Sequence, residues 1–186
     1  MKNKKLIMGI CAVIVVLGIL CWIYVINPLG LKVYGAKEIK TENDFILMLN
    51  NKQNNNFKSD NINDYRKVSI DIGYEYKSIF DLNSFAQAKI KYDDKYKDRV
   101  VYICKNKVNV SVDVESQRNL GGGADSDVWL YVGDLGNEDE IMDMVYDFVN
   151  SCEVEYTYDM QVLGTRDKKI KVKIDKDMLE YSDEDE

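Results

Sequence analysis

The segment from Leu6 to Ile26 holds twenty-one consecutive residues without a formal charge, and Lys2, Lys4 and Lys5 precede it. As a helix rising about 1.5 Å per residue it reaches roughly 31 Å, enough to cross the ~30 Å hydrocarbon core of a bilayer. Whatever follows Ile26 must therefore fold beside a membrane unless the segment is removed. A secretory signal has a shorter apolar core with small residues just after it. Here the best cleavage candidate, Val33-Tyr34-Gly35 before Ala36, lies well beyond the apolar run. Neither Cys11, after Ile10, nor Cys21, after Leu20, follows the small residue that lipid modification requires. An uncleaved anchor over 6–26 is expected. Trp22 and Tyr24 suit the aromatic belt at a membrane interface. Asn27-Pro28 should end the helix, since proline lacks an N–H and biases the residue before it away from helical angles.

Orientation follows from the lysines near the ends of the span. The basic residues at 2–5 favour a cytoplasmic tail over 1–5, although Lys32, Lys37 and Lys40 flank the other side. The reading is a single-pass protein of the cell membrane, with its N-terminus cytoplasmic and its domain extracellular. Residues 27–40 are expected as a linker, 41–176 as an extracytoplasmic domain and 177–186 as an acidic tail. The domain carries two cysteines, Cys104 and Cys152. Either they form one disulfide in an oxidising compartment or they are two buried free thiols.

Composition narrows the chemistry. Setting aside Lys2, Lys4 and Lys5 from the 25 basic residues leaves 22 against 32 acidic ones, a net charge of −10 for the exposed part. Nucleic-acid binding rests on Lys and Arg neutralising phosphates, so this balance argues against it. It also disfavours docking of the domain on anionic lipid, which leaves the tether as the expected membrane contact. The chain has no histidine, which removes Ser-His-Asp and Cys-His arrangements, imidazole general bases and His-containing zinc sites. No carboxylate, lysine or thiol pair stands out as catalytic, and the expectation is a protein that is not an enzyme and has no cofactor or metal.

Local patterns define an α+β domain. Thr41 and Asp44 suggest a short helix over 43–50, followed by a polar loop over 50–56. Val68, Ile70, Ile72, Tyr74 and Tyr76 alternate with Ser69, Asp71, Gly73 and Glu75, the mark of a half-buried strand. Further strands are expected at 88–92, 100–104, 108–114 and 128–132, with a tight hairpin at Lys105-Asn106-Lys107. Gly121-Gly122-Gly123 reads as a flexible connection. Asn137 and Glu140 form a capping-box-like start to a helix whose Ile141, Val145, Phe148, Val149 and Cys152 share one face. Alternation returns over 154–162, and again at Ile170, Val172 and Ile174. With the turn near Gly164, Glu155 and Asp159 would fall opposite Lys173 and Lys169. About seven strands and two helices without a βα repeat predict a largely antiparallel sheet with helices on one face.

Other candidate sites have simpler readings. The loop 121–127 lacks the Lys-Ser/Thr or G-x-G-x-x-G pattern of a phosphate loop, and Asp125 and Asp127 alone fall short of a calcium loop. Asp183-Glu184-Asp185-Glu186 reads as a solvated tail. Tyr74, Tyr76, Tyr156 and Tyr158, at inward strand positions, are expected in the core.

The Lys-, Asn-, Ile- and Tyr-rich composition is that favoured by AT-rich Gram-positive bacteria. With Lys2-Asn3-Lys4-Lys5, the span from Leu6 to Ile26 and an acidic α+β domain after Lys32, the layout resembles the TipC-type immunity proteins. The resemblance implies a non-enzymatic, membrane-anchored domain that binds a protein partner, neutralising a secreted toxin directed at cell-envelope precursors. The alternative is a structural subunit of a cell-envelope, secretion or sporulation complex.

Overall fold

Helix α1 (Lys2–Cys21) continues into one π-helical stretch, Trp22–Ile26, and within three residues the chain enters β1 (Leu29–Lys40). These and the elements that follow belong to a computed structural model that describes residues 2–40, 58–78, 80, 82–103 and 120–183. The stretch expected as a linker, 27–40, is thus mostly a strand. The expected helix over 43–50, the polar loop after it, the strand over 108–114 with its hairpin, and Cys104 all lie outside the described residues.

Among the described residues eight strands form two sheets. β1, β2 (Tyr65–Tyr76), β4 (Val100–Ile103), β5 (Leu120–Tyr131) and β8 (Leu179–Asp183) make a five-stranded sheet in the order β4-β5-β2-β1-β8. β3 (Leu82–Lys91), β6 (Glu153–Met160) and β7 (Gly164–Lys171) make a three-stranded one in the order β3-β6-β7. All pairs are antiparallel except β1 with β8. The class is α+β, and the strands divide between two sheets where one was expected.

Both sheets and α2 (Glu138–Ser151) share a single core. The alternation of β2 buries Val68, Ile70 and Ile72, joined by Val128 and Leu130 of β5; Val154, Tyr156, Tyr158 and Met160 come from the other sheet. Tyr76 and Tyr158 meet edge to face across the gap, with ring centroids 6.5 Å apart. Helix α2 begins as its sequence indicates: Asn137 Oδ1 accepts from the Glu140 N–H at 3.0 Å, and Glu140 Oε2 accepts from the Gly136 N–H at 2.8 Å. Its apolar face delivers Ile141, Val145, Phe148 and Val149 to the core.

Four expectations are corrected. Gly121-Gly122-Gly123 is part of β5, paired with Glu75, Tyr74 and Gly73 of β2, so the flexible connection is a strand. Leu179–Asp183, expected in an acidic tail, is β8. β2 is covered on both faces near its start: Tyr65, Ser69 and its partner Asp127 are buried on the side opposite the core. Finally, the β6–β7 hairpin turns at 161–163, with Met160 opposite Gly164. Gly164 has φ 67°, so glycine supplies the left-handed residue that closes the loop and does not form its middle. Glu155 consequently faces Lys169, while Asp159 faces Thr165. Because the slip is even, every side chain keeps its face.

Candidate functional site

The junction of helix and sheet is built without slack. The Asn27 N–H donates to the Trp22 carbonyl at 2.8 Å, an i to i−5 bond that closes the π-helical turn. Pro28 and Leu29 are already buried, and the Lys77 N–H donates to the Pro28 carbonyl at 3.0 Å. From β7, Lys168 Nζ donates to Asn27 Oδ1 at 2.9 Å. Both sheets therefore grip the two residues that follow the helix. The helix itself, from Lys4 to Ile26, has no buried residue within its most apolar window and is long and apolar enough to cross a membrane, a criterion that an N-terminal signal sequence can also satisfy.

A buried ionic cluster lies on the core side of the five-stranded sheet. Arg66 Nε stands 2.7 Å from Glu38 Oε1, with the two side chains 5 % and 0 % exposed. Arg66 Nη1 donates to the carbonyls of Asn63 and Tyr65 at 2.9 and 3.0 Å, and Nη2 donates to both oxygens of Glu138 at 3.3 and 3.2 Å. One guanidinium thus ties β1, β2 and the first turn of α2. The sequence held one signal for it: Arg66 shares the parity of Val68, Ile70 and Ile72, an inward position. On the other face of the sheet, Ser69 Oγ donates to Asp127 Oδ1 at 2.7 Å, and Lys67 Nζ lies 3.7 Å from Asp127 Oδ2.

The outer face of the three-stranded sheet is charged and paired. Glu155 stands between Lys91 at 3.6 Å and Lys169 at 3.4 Å, and the Lys169 ammonium is held above its usual range, first by its bond to Glu155. Thr157 donates to Asp167, and Thr165 to Asp159.

Cys152 caps α2, buried, its Sγ donating to the Phe148 carbonyl at 3.3 Å. Burial pushes its thiol up to about 12, so it carries negligible thiolate at neutral pH. Its proposed partner Cys104 lies outside the described residues. Tyr76, Tyr156 and Tyr158 are buried and Tyr74 packs against the core, as their strand positions require. Asp127 serves Ser69 and Lys67, and among the described residues no group of three or more Cys, Asp and Glu is arranged to hold a metal ion.

Neither family models nor curated proteins match the sequence, and no solved structure matches the fold.

Proposed function

We propose that this chain is a single-pass membrane protein whose acidic α+β domain binds a protein partner outside the cytoplasm. The observation that supports it is the continuity of α1 into β1. Cleavage before Ala36 would fall inside β1 and discard the stretch that pairs Leu29 with Tyr76 and Val33 with Ile72, together with the core residue Leu29. A chain that needs those residues to complete its sheet is not served by a cut at that site, which supports an uncleaved anchor. The −10 charge of the exposed part suits a cationic partner surface, and the resemblance in layout to TipC-type immunity proteins points to a secreted toxin.

The test is crosslinked capture from intact cells with the full chain carrying a C-terminal tag. A tag cleaved from the cell surface by added protease, on a protein that keeps its helix, together with one stoichiometric secreted partner, is the expected result. A tag protected inside the cell, or a chain shortened at 35–36, refutes the topology. Capture of integral membrane proteins alone favours a structural subunit of an envelope, secretion or sporulation complex. If a soluble bait is used, it must begin at Asn27, because a start at Lys32 removes the first residues of β1.

A further inference from the structure

We propose that the base of the domain binds anionic phospholipid headgroups through Lys77 and Lys168, with Lys32 above them. The inference rests on the anchoring read above and names a second partner for the same junction.

Depth is the first argument. The candidate span ends at Ile26, and its length fills the hydrocarbon core, so Asn27 emerges into the headgroup layer, about 5–7 Å thick on each side. The Lys168 ammonium is bonded to the Asn27 side chain and so lies in that layer. The Lys77 backbone is bonded to Pro28, one residue further, which puts its side chain within reach of the same depth. Trp22 and Tyr24, both exposed on the last turns of the helix, fix that depth independently, since their rings favour the interface.

Charge is the second. Three ammonium groups belong to the junction and the first residues of β1: Lys168 on Asn27, Lys77 with Glu75 2.9 Å from its Nζ, and Lys32, while in β7 Arg166 and Asp167 precede Lys168 and offset each other. Lys168 spends one N–H on an uncharged amide oxygen, and two remain for phosphate. Lys32, exposed, lies over the Tyr34 ring with its Nζ 5.2 Å from the centroid. A domain with a large negative excess therefore turns its locally positive end to the bilayer. The two residues between helix and strand, Asn27 and Pro28, leave no flexible linker to let it turn away.

The experiment uses the full chain in nanodiscs of phosphatidylcholine, with or without phosphatidylglycerol. Each disc carries a trace of the same lipid bearing a photoreactive headgroup, or a photoreactive acyl chain as a depth control. Adducts are mapped by mass spectrometry. Headgroup adducts in the peptides around 75–78 and 166–170 are expected to favour phosphatidylglycerol about fivefold for each lysine engaged, the ratio given by the attraction of one lysine to an anionic surface. Lys77→Gln with Lys168→Gln should abolish the preference, whereas Lys168→Arg should retain it, and unchanged melting curves would show that the variants fold. Equal adduct yields from both lipids, or a preference that survives the double substitution, overturn the proposal while leaving the anchor intact. Absence of acyl-chain adducts on α1 would instead overturn the anchoring reading and this proposal with it.

Discussion

Replacing Arg66 by Met tests whether the ionic cluster in the sheet is a structural tie. Methionine keeps the volume and removes the charge. Glu38, fully buried, then loses the guanidinium 2.7 Å from its Oε1, and the carbonyls of Asn63 and Tyr65 lose their donor. Removing one partner of a buried pair costs about 3–5 kcal/mol, because the remaining charge is left in a poor solvent. For a domain of this size that is roughly 6–20 °C in melting temperature, at about 2–4 °C per kcal/mol. Glu138 is 54 % exposed, and such a surface pair contributes about 0–1 kcal/mol, so Glu138→Gln should have a small effect. The assay is urea unfolding of the full chain in a mild detergent, followed by Trp129 fluorescence. Adding Glu38→Gln to Arg66→Met should recover about 2 kcal/mol or more, since the buried carboxylate that lost its guanidinium is then neutral. A loss below about 1 kcal/mol for Arg66→Met, or a double variant no better than the single, would refute the reasoning.

Three further outcomes are expected. Lys169→Glu should lower the urea midpoint by placing like charges opposite each other at Glu155, whereas Lys173→Glu, off that pair, should leave it nearly unchanged; a loss for Lys173→Glu as large as that for Lys169→Glu would restore the register with its turn at Gly164. The folded state should weaken above pH 9, because the Cys152 thiol ionises near 9 when exposed and only at about 12 when buried. Stability is then complete below 9 and is lost towards 12 by up to about 1.4 kcal/mol per pH unit. Tyr92, Tyr96 and Tyr158, also raised chiefly by burial, act in the same direction, and Cys152→Ala should flatten the slope measured by urea titration at successive pH values. Gly73→Ala would drive a Cβ into the Tyr34 ring; the exposed ring can swing aside, so the cost should stay near 1 kcal/mol and vanish in the Tyr34→Ala background, as read by melting temperature.

The sequence announced an element wherever burial imposes a period. Helix α2 with its Asn137 cap, the inward row of β2 from Val68 to Ile72, and the tyrosines of β6 were all legible for that reason. β1 was not, because Leu29–Lys40 mixes Gly30 and Gly35 with charged residues; two neighbouring strands, not a pattern of its own, make it a strand. The triple glycine read as a loop because no local signal shows that it pairs with the end of β2. Of the junction, the helix was plain, but the bond from Lys168 to Asn27 joins residues 141 positions apart and leaves no mark on either segment. Arg66 did leave one, in the parity of its strand.

The parallel pairing of β1 with β8 has a consequence for the order of synthesis. β1 is made before either strand it pairs with, and it reaches β2, which begins at Tyr65, across only residues 41–64. Its other edge stays open until Leu179–Asp183 has been made, since Ala36 pairs with Leu179 and Lys40 with Asp183. Closing so long a loop is entropically costly and is repaid only when the contacts at its ends form. Folding of this chain therefore finishes at the strand beside the apolar helix, the first of the eight described strands to be made.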